Sequence, residues 1–273
     1  MLSDFLVPTI QRAMIAGGIV GLVCSVIGVF VVLRGLAFIS AGISHSAFAG
    51  VAFGLLFGIN PFISALVFCS VIGLLIGKVS DLGNLKEDTS IGIFLAASMA
   101  VGVIAMSFVK SSQIDIIGYL FGNILSLSAD NLKLSLAIGI TVLIILFIFL
   151  KEFMLSSFDP DQAVISGIPA KVLTYILLVL LSAVTVVSIK VVGIILGTAL
   201  IVAPAATALQ FSRDFDRALL LSGCIGVAVT EIGIILSVLL NSAPGATITL
   251  VATVVFFTAV TIKHLHKRSL RMA

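Results

Sequence analysis

Charge is what this sequence has least of. Only 10% of its 273 residues are Asp, Glu, Lys or Arg, against roughly a quarter in an ordinary soluble domain. A water-soluble fold of this size would lack the polar groups needed to cover its surface. Disorder and nucleic-acid recognition need the same missing charge, so no nucleic-acid partner is expected. Cysteine is sparse too. Cys24, Cys69 and Cys224 lie far apart in apolar runs with no CxxC pair, and they read as small packing residues. There is no HExxH, no GxSxG and no GxxxxGK[ST], which removes zincin proteases, nucleophile-elbow hydrolases and P-loop nucleotide hydrolysis. The chain is therefore not expected to be an enzyme, and any ATP that drives it would be hydrolysed by another subunit. No basic region precedes the first apolar run, so a cleaved signal peptide is not expected.

What the sequence has is hydrophobicity: 60% of residues are hydrophobic and the mean hydropathy is +1.34. Apolar segments run over 10–33, 36–58, 61–79, 88–109, 132–155, 171–189, 191–211, 217–240 and 246–263. About 20 apolar residues cross a bilayer. The expected fold is therefore all-α: a polytopic membrane helical bundle of eight or nine transmembrane helices, forming a single domain over 1–273. If all nine segments cross, one side holds Arg34, Lys78, Lys86, Lys151, Lys171, Arg213, Arg217, Lys263, Lys267, Arg268 and Arg271. The other holds Arg12, Lys110, Lys133 and Lys190. The positive-inside rule then puts the C-terminus in the cytoplasm and the N-terminus outside.

Two stretches do not read as simple spans. Residues 111–131 are too short and polar to cross, yet Ile114 to Leu127 is apolar enough to be buried, which suggests an extracellular short helix or a re-entrant element. Residues 156–171, SSFDPDQAVISGIPAK, form the longest polar interruption on the cytoplasmic side. Asp159 before Pro160 suits an N-cap followed by proline at the first helical position. Gly167 and Pro169 then end a helix of about two turns. A plain loop needs no such order, so a partner is expected to dock there. Small residues also recur at helical spacing. Gly42, Ser46, Gly50, Gly54 and Gly58 make a long small-xxx-small seam, echoed at Gly17/Gly21 and Gly73/Gly77, and are assigned to close helix packing.

Ionisable groups inside a bilayer are costly and are functional candidates by default. His45 lies near the middle of the second segment, with Ser40, Ser44 and Ser46 close by, and Glu231 near the middle of the eighth, beside Thr230. Imidazole and carboxylate suit zinc and other first-row divalent ions, and a homodimer would present the pair twice around one axis. Each could equally be a neutral group hydrogen-bonded across a helix contact. Asp115, in the non-spanning element, is a third candidate near the outer mouth. His264 and His266 sit in the basic tail, where contact with lipid headgroups accounts for them.

Four stretches in register over about residues 10–265 carry a family resemblance: VVLRGLAFISAGISHSAFAGVAFG, IDIIGYLFGNILSLSADNL, KVVGIILGTALIVAPAATALQFSR and APGATITL. They resemble the permeases of bacterial ABC importers for zinc, manganese and iron. The resemblance implies a homodimeric permease of the type II importer kind in the cytoplasmic membrane of a prokaryote. Its partners would be a cytoplasmic ABC ATPase dimer and an extracytoplasmic metal-binding protein. No resident cofactor is implied; the divalent metal is cargo. The stretches GVAFGLLFGINPF and YLFG look most like zinc-uptake permeases, so Zn2+ is expected first and manganese second. Ser157, Phe158, Asp159, Ala163 and Gly167 match the coupling segment that contacts the ATPase, and His45 matches the pathway-lining helix. Relatives usually carry an aspartate one turn before this histidine, where this chain has Ala41; Asn123 likewise stands where some have aspartate. Glu231, Asp115 or a group of the second subunit is expected to supply the missing carboxylate. A gradient-driven secondary transporter would need more intramembrane carboxylates or broken helix pairs than the sequence displays, and a passive scaffold would leave His45, Glu231 and the coupling segment unexplained.

Overall fold

Long apolar runs interrupted only by glycine, proline and short charged turns fold as helices, because in lipid a helix satisfies its own backbone hydrogen bonds. The structure, a computed structural model, describes residues 8–83, 87–109, 129–194, 197–212 and 214–272. Four long helices come first: α1 (Pro8–Leu33), α2 (Ala37–Phe57), α3 (Pro61–Gly83) and α4 (Glu87–Ser107). Then follow α5 (Ala129–Ile148), the short α6 (Leu150–Phe158) and α7 (Pro160–Ile165), and α8 (Ala170–Val192). The chain closes with α9 (Gly197–Phe211), α10 (Phe215–Leu240) and α11 (Pro244–Met272). The 111–131 element, with Asp115 and Asn123, lies outside the described residues except for its last three, which open α5.

The fold class read from the sequence holds: a helical membrane bundle. Among the described residues seven helices are long and apolar enough to cross, and an eighth span is made if α5 and α6 count together. The details differ from the expected segments in three places. The segment 132–155 is not straight; α5 and α6 meet at a 70° bend. Neither glycine nor proline sits there, and the cause is tertiary. Phe153 of α6 is fully buried edge-on against Phe30, at 5.8 Å between ring centroids, and Ser156 and Ser157 are engaged by Arg34. The segment 191–211 is not a full span. Helix α8 stops at Gly193, whose φ of 93° leaves the helical region, and α9 has only 15 residues with Pro204 inside it. At 1.5 Å per residue such a helix covers about 22 Å of a hydrocarbon core about 30 Å thick. Finally, the last helix runs past the apolar segment and carries the basic tail to Met272.

The helices sort into two lobes. In one, α2 packs on α3 and α4; in the other, α1, α9, α10 and α11 pack on one another. Helix α8 joins them, touching α1 and α5 as well as α2 and α3, and α9 reaches across to α2. The small-residue seam on α2 serves two neighbours at once. A methyl on Gly42 would come 2.9 Å from Ile91 of α4, whereas methyls on Gly50 and Gly54 would come 2.6 and 2.7 Å from the Cα atoms of Ala65 and Pro61 on α3. The second lobe has its own seam. Gly21 of α1 lies against Gly226 and Thr230 of α10, and Ser222 donates to the Ser25 carbonyl at 2.7 Å.

Candidate functional site: an interlobe groove and a short capped helix

Where α2 meets α9, between the lobes, an open groove of about 270 Å³ is lined by Ala37, Phe38 and Ala41 on one side and Thr198, Ala199 and Val202 on the other. Its walls are small residues, apart from Phe38. His45 follows Ala41 by one turn on the same face of α2; it is half-buried and makes no hydrogen bond to any described residue. Its neighbour Ser44 donates to the carbonyl of Ile194, in the break between α8 and α9. The interrupted backbone therefore lies beside His45. Gly197, at the start of α9, fits this corner because a side chain would press on Ser188 Oγ at 2.9 Å and approach Ser44 Oγ at 3.8 Å. Non-helical backbone inside a membrane is tolerated only where protein buries it or where it borders a cavity. The C-terminus of α8 also brings the negative end of its dipole to the break, an environment that favours a cation.

Glu231 is elsewhere. It lies on α10 against Gly18 of α1, where a methyl would meet its Oε1 at 2.9 Å, and its Oε2 is buried without a hydrogen-bond partner among the described residues. His45 and Glu231 thus belong to different lobes, and a single chain does not bring them together. Among the described residues no three His, Cys, Asp or Glu side chains cluster as a metal site. Asp115 lies outside the described residues. The sequence reading missed Gly193, Ile194 and Gly197 as site residues. Only the pair of glycines flanking Ile194 to Leu196 hinted at a break, since the segment carries no charge.

The short element between α6 and α8 is built from local signals. Asp159 caps α7, its Oδ1 accepting from the Gln162 backbone N–H at 2.9 Å, with Pro160 at the first helical position. The far end closes as a Schellman motif. Gly167 adopts φ 80°, its N–H bonds the Val164 carbonyl, and the Ile168 N–H bonds the Ala163 carbonyl. Ala163 is fully buried beneath the helix, while Phe158, Val164 and Ile165 are 59%, 61% and 86% exposed. An aromatic cluster anchors the segment: Phe215 stands edge-on to both Phe158 and Phe30, and Phe30 to Phe153. The short helix is thus held rigidly while it turns apolar side chains outward, which makes it a candidate interaction surface.

A two-lobed bundle with a span broken beside a groove, and an ordered short helix outside the spans, has the form of a membrane permease. The chain belongs to the ABC 3 transport family, which matches residues 7–263. It is 40% identical over 250 residues to the manganese transport system membrane protein MntC of Listeria monocytogenes, covering 92% of this chain and 89% of that protein. It is 34% identical over 223 residues to the chelated iron transport system membrane protein YfeD of Yersinia pestis, covering 81% and 74%. Among solved structures it resembles PsaBC from Streptococcus pneumoniae in complex with Fab. There the TM-score is 0.86, with 32% identity over 95% of both chains.

Proposed function

We propose that this chain is the membrane-spanning permease subunit of an ATP-driven importer of divalent metal ions, with manganese as the first cargo and iron the second. The order departs from the zinc-first expectation because the relatives reported above carry manganese and iron in their names. The observation that carries the reading is the half-buried His45, without a hydrogen-bond partner among the described residues, next to an interlobe groove and a broken helix. An imidazole free of other bonds offers a nitrogen lone pair to a passing Mn2+ or Fe2+. One such ligand per chain holds the ion loosely, as conduction requires. Two copies related by a two-fold axis would present two histidines to one pathway. Asp115 nearer the outside, and Glu231, which a single chain holds apart from His45 in the other lobe, would supply carboxylates at other points of the route.

A cytoplasmic ATPase dimer would cover α7 through Phe158, Val164 and Ile165, with Ser157, Asp159, Ala163 and Gly167 holding the shape of the docking element. A metal-binding protein would deliver cargo at the opposite face. The chain would lie in the cytoplasmic membrane of a prokaryote with its C-terminus inside and its N-terminus outside, the short α9 running back to the inner face, where Lys263 of α11 donates to Gln210 Oε1 at 3.2 Å. Movement of α7, driven by closure of the ATPase, would open and close the groove between the lobes. The test is uptake of Mn2+, Fe2+ and Zn2+, metal by metal, by the complex reconstituted in vesicles. ATP-dependent uptake with Mn2+ preferred is expected, and uptake lost in His45→Ala supports the pathway. Full uptake in His45→Ala refutes that role, and absence of any metal uptake by the wild-type complex refutes the function. Ile165→Asp, which places a charge on the exposed docking face, is expected to abolish co-purification of the ATPase while leaving the permease folded.

A further inference from the structure

Arg34 joins the docking segment to the helix that carries His45. It sits half-buried in the turn between α1 and α2, a second Schellman motif: Gly35 has φ 72°, its N–H bonds the Val32 carbonyl, and the Leu36 N–H bonds the Val31 carbonyl. Helix α2 starts at Ala37, immediately after this turn, so the position of Arg34 and the start of α2 move together. From there the guanidinium reaches both flanks of the docking element. Nε donates to Ser157 Oγ at 2.8 Å and Nη2 to Ser156 Oγ at 3.0 Å, on the side entering α7. Nη1 donates to Thr174 Oγ1 at 2.9 Å, on the side leaving it.

The acceptors are held in advance. Ser157 gives its own proton to the Phe153 carbonyl at 2.6 Å, and Thr174 gives its proton to the Ala170 carbonyl at 3.0 Å. Each hydroxyl is thereby turned by its own helix to offer a lone pair to the arginine. A planar, permanently charged fork with five N–H donors is well suited to engage three such acceptors on two helices at once. From the start of α2 at Ala37, His45 lies about 12 Å further along the helix at 1.5 Å per residue.

We propose that Arg34 is the positioning residue that couples the two: it locks both flanks of the docking segment to the start of α2, so that displacement of α7 is delivered to the His45 helix. This rests on the reading of α7 as the ATPase contact. It assigns a route that neither the docking helix nor the groove reveals alone.

The test uses the permease–ATPase complex in vesicles, in a Cys224→Ser background because Cys224 is the exposed cysteine while Cys24 and Cys69 are buried. Arg34→Ala is expected to retain the ATPase and its hydrolysis but to lose at least about tenfold in Mn2+ moved per ATP, the scale of a lost charged hydrogen bond. A cysteine placed by Ala41→Cys, on the groove, is expected to change its labelling by a membrane-impermeant maleimide when nucleotide is added, and to stop doing so once Arg34 is replaced. The double variant Ser157→Ala/Thr174→Ala leaves the arginine in place and is expected to uncouple in the same direction by several-fold. Normal Mn2+ per ATP and normal nucleotide-dependent labelling in Arg34→Ala overturn the proposal. If Arg34→Ala fails to assemble, the double variant decides: coupling intact overturns the proposal, and coupling lost upholds it. A wild-type complex that moves no metal but still shows nucleotide-dependent labelling, lost with Arg34, refutes the cargo assignment and leaves the coupling role standing.

Discussion

Replacing Gly50 by alanine tests whether the α2–α3 seam is held at backbone contact. The added methyl would stand 2.6 Å from Ala65 Cα and 3.1 Å from Phe68 Cβ. Ordinary van der Waals contact starts at 3.4 Å, so α3 must retreat by about 0.8 Å. The obstacle is backbone rather than the tip of a flexible side chain, so no rotamer change relieves it. Retreat opens the neighbouring contact of Gly54 with Pro61, because both glycines press on the same helix. A gap of about 0.5–1 Å forfeits a quarter to a half of each contact's dispersion energy. Overpacking of this kind costs about 1–3 kcal/mol, and at about 2–4 °C per kcal/mol for a large domain the melting temperature in detergent should fall by several degrees. Gly92→Ala is the internal control. Gly92 lies within α4, and a methyl added there would have nothing within 4 Å. The substitution removes a helix-weakening glycine and should leave stability unchanged or raise it by up to about 1 kcal/mol. Equal melting temperatures for the two variants would refute the claim that Gly50 is required for close approach.

Two further substitutions probe the anchor and the groove. Phe153→Ala empties a fully buried site against Phe30 and should cost about 3–5 kcal/mol; thermal melting with ATPase co-purification checks it, and an unchanged melt would show that the α5–α6 bend has another cause. Ala41→Asp restores a carboxylate one turn before His45 on the groove. It should tighten Mn2+ binding to the permease by at least about tenfold, the scale at which even outer partners of a metal ligand act, and slow release at saturating metal. Calorimetric titration and uptake rates check both, and an unchanged affinity would remove His45 from the metal's path.

What the sequence made legible follows from the range of each interaction. The start and stop of α7 could be read because Asp159, Pro160 and Gly167 act on their immediate neighbours, and a cap or a positive φ needs no distant partner. The α2 seam was legible for a similar reason, since the period of a helix brings Gly42, Gly50 and Gly54 to one side, although nothing in that period says that Gly42 faces α4 while the other two face α3. The bend at Phe149 was illegible because its cause, Phe30, lies 119 positions away in the sequence. The break at Gly193 was hidden inside a run whose hydropathy never falters; it is visible only once Ser44 is seen to take the Ile194 carbonyl. Arg34 shows the same limit most clearly. As a residue type it could be read as one more positive charge on the cytoplasmic side, but Ser156, Ser157 and Thr174, which accept from it, lie 122 to 140 positions away. The residue read from the sequence as a topology signal is, in the folded chain, the side chain that ties the turn before α2 to the helices on either side of α7.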